Sequence, residues 1–209
     1  MIIVFDFDGT LANTRELTLS IYNEIASEHG FKRITTKDYI RLRKQSYLSV
    51  LRWTGIHLWQ IPKLISEGHK LFAKRGSEIR LFPGCQEVLY ALNAAGHDLY
   101  VLSSNTPRTI KKVTRAQGLE FIHVLPSANL FSKAAKLKNL KKKYPNENMV
   151  MIGDELRDIQ AAKRAGIKVF AVTWGFQPKE MLKSANPDIL ISKPSEILAA
   201  VEKLSNSLT

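Results

Sequence analysis

The chain has 209 residues, 44% hydrophobic and 24% charged, and its 31 basic against 19 acidic side chains give a formal charge of +12. That composition suits one globular α/β-sized unit with room for an insertion, and no apolar stretch reaches membrane-spanning length. A lone cysteine, Cys85, excludes an internal disulfide, and no basic leader with a cleavage site is visible, so a cytoplasmic protein is expected.

In chain order, residues 2–5 (Ile-Ile-Val-Phe) read as a buried parallel strand that ends in Asp6-Phe7-Asp8-Gly9-Thr10. The alternation of a strand puts both aspartates on one face, and Gly9 permits a sharp turn. Two buried like charges repel, so a divalent cation or a phosphate with its cation is needed to offset them. Residues 13–82 then read as helices and turns: Leu17, Ile21 and Ile25 recur at helical spacing up to Gly30, Thr36 caps a helix with Tyr39, Ile40 and Leu42, and residues 58–71 make another. No strand is expected there. From Phe82 the rhythm changes. Pro83-Gly84 opens a helix that closes near Gly96, and strand 98–103 follows. Thr106-Pro107 caps a helix to Gly118, and residues 121–125 are a strand. Helix 133–143, strand 148–152, helix 155–165 and strand 168–173 come next. A helix near 178–184, a strand at 188–191 and a helix after Pro194 complete the chain. This alternation predicts an α/β fold, a Rossmann-like parallel sheet with helices on both faces, formed by residues 1–13 and 83–209 and interrupted by a helical insertion over 14–82.

Ligands of such sheets collect at the carboxyl ends of the strands. Four ends carry chemistry: Asp6 and Asp8; Ser103-Ser104-Asn105; Lys133 at the head of the next helix; and Gly153-Asp154-Glu155, with Asp158 one helical turn on. An ionised aspartate can attack phosphorus, and a second can protonate the leaving oxygen. Charge spreading over the phosphoryl oxygens calls for a cation, a lysine and hydroxyl or amide donors. Carboxylate oxygens suit Mg²⁺. Each element also has an ordinary structural reading: Ser103 or Ser104 as a turn hydroxyl, Lys133 as one more solvated lysine, Asp154 and Asp158 as helix N-terminal acids. Their joint order at successive strand ends favours a site.

On these residues the chain resembles the haloacid dehalogenase superfamily of phosphohydrolases over essentially its whole length. The four motifs fall on Asp6-Phe7-Asp8-Gly9-Thr10, Ser103 (or Ser104 after a one-residue slip), Lys133, and Gly153 to Asp158. The resemblance implies Asp6 as nucleophile and Asp8 as general acid/base. It implies Mg²⁺ held by Asp6, the backbone carbonyl of Asp8 and Asp154, with Asp158 behind the metal waters, and a phosphoryl group held by Ser103, Ser104, Asn105 and Lys133. Glu155 is left as either a metal neighbour or a helix cap. The insertion resembles the small helical cap of the phosphoglycolate phosphatase-like branch, as do Val172-Thr173-Trp174-Gly175-Phe176 and Asn186-Pro187-Asp188. A small phosphorylated metabolite is the expected partner, with Arg41, Arg43, Lys44 and Arg52 as candidates for its carboxylate.

Two other functions stay open on the sequence: a sugar-phosphate mutase of the same superfamily, and a nucleic-acid end-phosphatase or binding protein. The second is motivated by ten basic residues against the single acid Glu120 between Arg108 and Lys143. No nucleic-acid motif accompanies that run, and its lysines surround Leu137 and Leu140 as on an amphipathic helix. Trp53 and Trp59 are read as packing residues of the insertion. Nothing in the sequence sets an oligomeric state.

Overall fold

The structure, a computed structural model, describes residues 1–126 and 132–206. Its centre is strand β1 (Ile2–Phe5), fully buried because both faces of the sheet are covered. The chain continues through α1 (Arg15–His29), α2 (Thr36–Leu42), α3 (Tyr47–Thr54), α4 (Ile61–Lys74), α5 (Cys85–Ala94), β2 (Asp98–Val101), α6 (Pro107–Ala116), β3 (His123–Val124), α7 (Lys133–Lys143) and β4 (Met149–Gly153). It ends with α8 (Leu156–Ala165), β5 (Lys168–Val172), α9 (Lys179–Ser184), β6 (Ile189–Ile191) and α10 (Glu196–Asn206). Among the described residues the strands form one parallel sheet in the order β3-β2-β1-β4-β5-β6. The direction of winding reverses between β1 and β4, which opens a crevice beyond their carboxyl ends.

Period-two alternation divides the core. Ile3, Phe5, Leu99, Val101, Val150 and Ile152 pack with α5, α6 and α10. Ile2, Val4, Tyr100, Leu102, Met149 and Met151 pack with α7 and α8. The first cluster extends into Leu17, Ile21 and Ile25 of α1, against which Leu64, Leu71 and Phe72 of α4 lie. His29 and Glu67 tie α1 to α4 at 2.8 Å.

The structure departs from the sequence expectations at four places. Helix α3 was not expected. Its eight residues are rich in aromatic and β-branched types, and it is fixed by Ser46, whose hydroxyl caps the Ser49 amide, and by Gly55 in the left-handed region at its end. β3 shrinks to two residues because Phe121 and Ile122 turn inward to the core instead of continuing the ladder. The cap of α2 is Thr35, one residue before the expected one, through a reciprocal pair with Asp38. Trp59 is 77% exposed and stacks on His57 rather than packing inside.

Candidate active site

Asp6 follows β1 directly, and its amide still bonds the Ile152 carbonyl at 2.8 Å, so the sheet itself fixes its position. The next residues fold into a tight turn in which Gly9 adopts φ 83°, a conformation only glycine takes without cost. That turn aims Thr10 Oγ1 at Asp154 Oδ1, 2.7 Å away at the end of β4. The other Asp154 oxygen accepts the Phe176 amide at 2.7 Å. Asp158 stands at the third position of α8, where its Oδ2 accepts the Glu155 amide at 3.1 Å. Asp6, Asp154 and Asp158 are at most 1% exposed, and each offers an oxygen within 4.8 Å of the others.

Lys133 enters this acid cluster from the head of α7. Its Nζ lies 2.9 Å from Asp6 Oδ2 and 2.5 Å from Asp158 Oδ1, with the side chain 5% exposed. A lysine in a segment full of solvated lysines is here a buried, doubly paired one. Asp8 is held separately: Ser103 Oγ donates to it at 3.3 Å, and Asn105 Nδ2 spans both its oxygens at 3.3 and 3.4 Å. Ser103 Oγ also accepts the Asn105 amide at 3.0 Å. The hydroxyl beside Asp8 is therefore that of Ser103, while Ser104 lines the neighbouring cavity and gives its carbonyl to His69 Nε2 at 3.0 Å.

The electrostatics follow from burial. Asp6 is pushed up to about 7, first by desolvation and then by Asp158 and Glu155, against the pull of Lys133 and Arg157. Asp154 is raised well above the usual carboxylate range by burial, with Glu155, Asp6 and Asp158 adding to it. Asp8 is raised by burial too, opposed by the nearby Thr14 hydroxyl and by the hydrogen bonds from Asn105 and Ser103. Burial works against the charge on Lys133, yet Asp158 and Asp6 carry its pKa upward.

This donor set fits a hard divalent cation. Three carboxylates converge, and buried Asp6 Oδ2, although near Lys133, finds no donor in hydrogen-bond geometry among the described residues. A bound cation would also offset the burial, and the carboxylate repulsion added to it, that raise Asp6 and Asp154.

A cavity of about 830 Å³ lies beside the cluster and reaches Lys133 and Asp8, while Asp6, Asp154 and Asp158 stand behind its wall. The strand ends give it Asp8, Asn105 and Lys133, and the helical stretch gives it Tyr39, Arg43 and His69. Of the four cations named as candidates for a substrate carboxylate, Arg43 alone lines it; Arg41 lies over the Trp53 ring beside Asp38. Sequence reading missed three participants. Arg157 pairs with Glu155 at the N-cap position of α8, and its pKa is raised by four surrounding carboxylates despite burial. His69 and Arg15 reach the strand-end loops from α4 and α1. None carried a local signal, being single cations and a histidine in a basic chain. Trp174-Gly175-Phe176 was visible only as a resemblance, and its contact with Asp154 was not.

The model of the haloacid dehalogenase-like hydrolase family matches residues 3–172. The chain is 33% identical to a phosphoglycolate phosphatase of Synechococcus elongatus over 206 residues, covering 97% of each chain. It is 27% identical to the pyrophosphatase PpaX of Listeria innocua, over 95% of each. Among solved structures, a haloacid dehalogenase-like hydrolase from Streptococcus pneumoniae superposes with a TM-score of 0.79 at 25% identity, covering 96% of this chain and 97% of that one. CbbY from Rhodobacter sphaeroides, solved with phosphate, shares the fold with a TM-score of 0.71 at 22% identity over 94% of this chain and 95% of that one. With its family model matched from β1 to β5 and its acids gathered at the strand ends, the chain belongs to the haloacid dehalogenase-like hydrolases.

Proposed function

We propose that this chain is a Mg²⁺-dependent phosphatase that hydrolyses a small organic phosphomonoester through a phosphorylated Asp6. The observation that carries the reading is the buried convergence of Asp6, Asp154, Asp158 and Lys133, with Asp8 held beside it by Ser103 and Asn105. Residues 1–13 and 83–209 would form the catalytic core and residues 14–82 a cap over the cavity.

In this reading Asp6 attacks phosphorus, forming an acyl phosphate as the ester P–O bond breaks. Asp8 gives its proton to the departing oxygen, and burial, which raises its pKa, favours the protonated form that this step needs. Asp8 then takes a proton from water, which attacks the same phosphorus; the bond to Asp6 breaks and inorganic phosphate leaves. Lys133 lies close enough to Asp6 Oδ2 to favour the ionised nucleophile and to face a transferring phosphoryl group. Ser103, Ser104 and Asn105 would turn donors toward that group. Asp6, Asp154 and the backbone carbonyl of Asp8 would hold Mg²⁺, with Asp158 supporting it. When bound, the ion would supply positive charge to the phosphoryl oxygens and keep Asp6 ionised.

The substrate we favour is phosphoglycolate-like, as the name of the Synechococcus relative suggests. Phosphoglycolate carries a carboxylate beyond its phosphoryl group, and Arg43 is a cation on the cavity wall suited to it. A nucleic-acid partner is less well supported. The basic residues of α6 and of α7 belong to helices packed on opposite faces of the sheet, so they do not form one stripe. Among the described residues no helix is long and apolar enough to cross a membrane; the cytoplasmic location is part of the proposal. The test is phosphate release from phosphoglycolate, sugar phosphates, nucleoside monophosphates and end-phosphorylated oligonucleotides, with and without Mg²⁺, for wild type and Asp6→Asn. Turnover that needs both Mg²⁺ and Asp6 is expected, strongest on a small carboxylated ester. Folded protein without turnover on any ester would overturn the reading in favour of a mutase or a binding role.

A further inference from the structure

The loop after β5 is gripped by side chains of the helical stretch. Arg15, the first residue of α1, donates from Nη2 to the carbonyls of Trp174 at 3.0 Å and Gly175 at 2.8 Å. Arg43 Nη2 reaches the same Gly175 carbonyl at 3.3 Å, and the Tyr39 hydroxyl donates to the Phe176 carbonyl at 3.3 Å. The guanidinium carbons of Arg15 and Arg43 each sit 5.7 Å from the centre of the Tyr39 ring, so the three side chains brace one another.

The same three loop residues reach the acid cluster, Gly175 and Phe176 directly and Trp174 through Thr10. Trp174 Nε1 donates to the Thr10 carbonyl at 3.0 Å, and Thr10 Oγ1 in turn bonds Asp154. The Phe176 amide donates to Asp154 Oδ2 at 2.7 Å. Gly175 is pressed so closely on Asp154 that a Cβ there would collide with its carboxylate.

The carbonyl of Gly175 and the amide of Phe176 are two ends of one peptide unit. That unit is planar and rigid, so whatever holds the carbonyl also sets the direction of the amide. Bonds to the carbonyl further polarise the N–H toward its acceptor. The chain of contacts therefore runs from Arg15 through one rigid plane to Asp154.

We infer that Arg15 is a positioning residue for Asp154: by fixing the Gly175 carbonyl it aims the Phe176 amide that orients the Asp154 carboxylate toward the cation, with Tyr39 and Arg43 completing the clasp. This rests on the proposed role of Asp154 as a metal ligand. It makes the helical stretch part of the metal site without contributing a ligand, so a displaced α1 and α2 would leave a weaker site.

The test is Mg²⁺ affinity, measured by titration calorimetry on the folded protein without substrate, for wild type, Arg15→Gln, Arg15→Lys and Lys37→Gln. Loss of an outer-shell partner weakens metal binding by about 10- to 100-fold, and Arg15→Gln should fall near the lower end, about tenfold. Arg15→Lys, which keeps a cationic donor, should recover part of this. Lys37→Gln removes the same charge from exposed α2 and should bind as wild type does. Activity of Arg15→Gln should fall at limiting Mg²⁺ and return at saturating Mg²⁺, with KM for the ester unchanged. Should Arg15→Gln fail to fold, Tyr39→Phe removes only the hydroxyl on the Phe176 carbonyl and should weaken Mg²⁺ binding by a smaller factor. Wild-type Mg²⁺ affinity in folded Arg15→Gln, or in Tyr39→Phe where Arg15→Gln does not fold, would overturn the inference and leave the phosphatase reading standing. Absence of Mg²⁺ binding and of turnover in the wild type would overturn the phosphatase reading, and the clasp with it.

Discussion

Replacing Lys133 with methionine removes the cation between Asp6 and Asp158 while keeping most of the side-chain volume. At an effective dielectric of about 20, ion pairs of 2.9 and 2.5 Å have a gross attraction of about 6 to 7 kcal/mol each. Part of that is offset because the variant no longer buries an ammonium, and breaking a buried pair on one side costs about 3–5 kcal/mol net. The loss should depend on pH. The folded pKa of Asp6 is already raised from 3.8 to about 7. Without Lys133 it rises further, so the folded variant holds a proton that the unfolded chain has released over a wider range. Stability falls with pH wherever the folded state binds more protons. Wild type should stop losing stability from this group above about pH 7, whereas Lys133→Met should go on losing it. Urea unfolding in EDTA at about pH 5 and about pH 9 reads the gap directly: it is present at the first through the lost Asp158 pair and wider at the second, where it should reach about 3–5 kcal/mol. Mg²⁺ should narrow it by replacing the missing positive charge. A gap below about 1 kcal/mol at both pH values, or one that closes on the alkaline side, would refute the argument.

Asp8→Asn should lower kcat by about 10²- to 10⁴-fold on phosphoglycolate, whose leaving alkoxide needs a proton, and by much less on p-nitrophenyl phosphate; parallel steady-state assays with both esters check this. Gly175→Ala should cost about 1–3 kcal/mol by overpacking against Asp154, and weaken Mg²⁺ binding, measured by urea unfolding and calorimetry. Cys85 is buried and its thiol is pushed up to about 12, first by desolvation and then by Glu87. It should resist a thiol reagent at about pH 8 in the native protein and react at once after unfolding, because the thiolate is the reactive form.

The acid cluster was legible because its chemistry is written at strand ends. An apolar run, two aspartates and a glycine define the end of β1, and Gly153-Asp154 defines the end of β4 whatever the rest of the chain does. Parallel strands buried on both faces also leave continuous apolar runs that mark the sheet. Asp158 was legible as a member of the acid cluster; its pairing with Lys133 was not, because that contact depends on how α7 and α8 meet. Helix α3 escaped because eight residues with two buried positions give too short a periodicity to read. Arg15 and Tyr39, and the hold of Arg43 on the Gly175 carbonyl, escaped for a different reason. Side chains that bond backbone carbonyls of a distant loop impose no pattern on either sequence, and in a chain with 31 basic residues a single arginine carries no signal.

The central claim is that Asp6 carries the phosphoryl group. A single turnover with excess enzyme and Mg²⁺, quenched in acid and digested, tests it by mass spectrometry of the N-terminal peptide. The account predicts a transient phosphoryl adduct on Asp6 that hydroxylamine removes and that Asp6→Asn never forms. Full turnover with no adduct on that peptide, and with activity retained in Asp6→Asn, would contradict it.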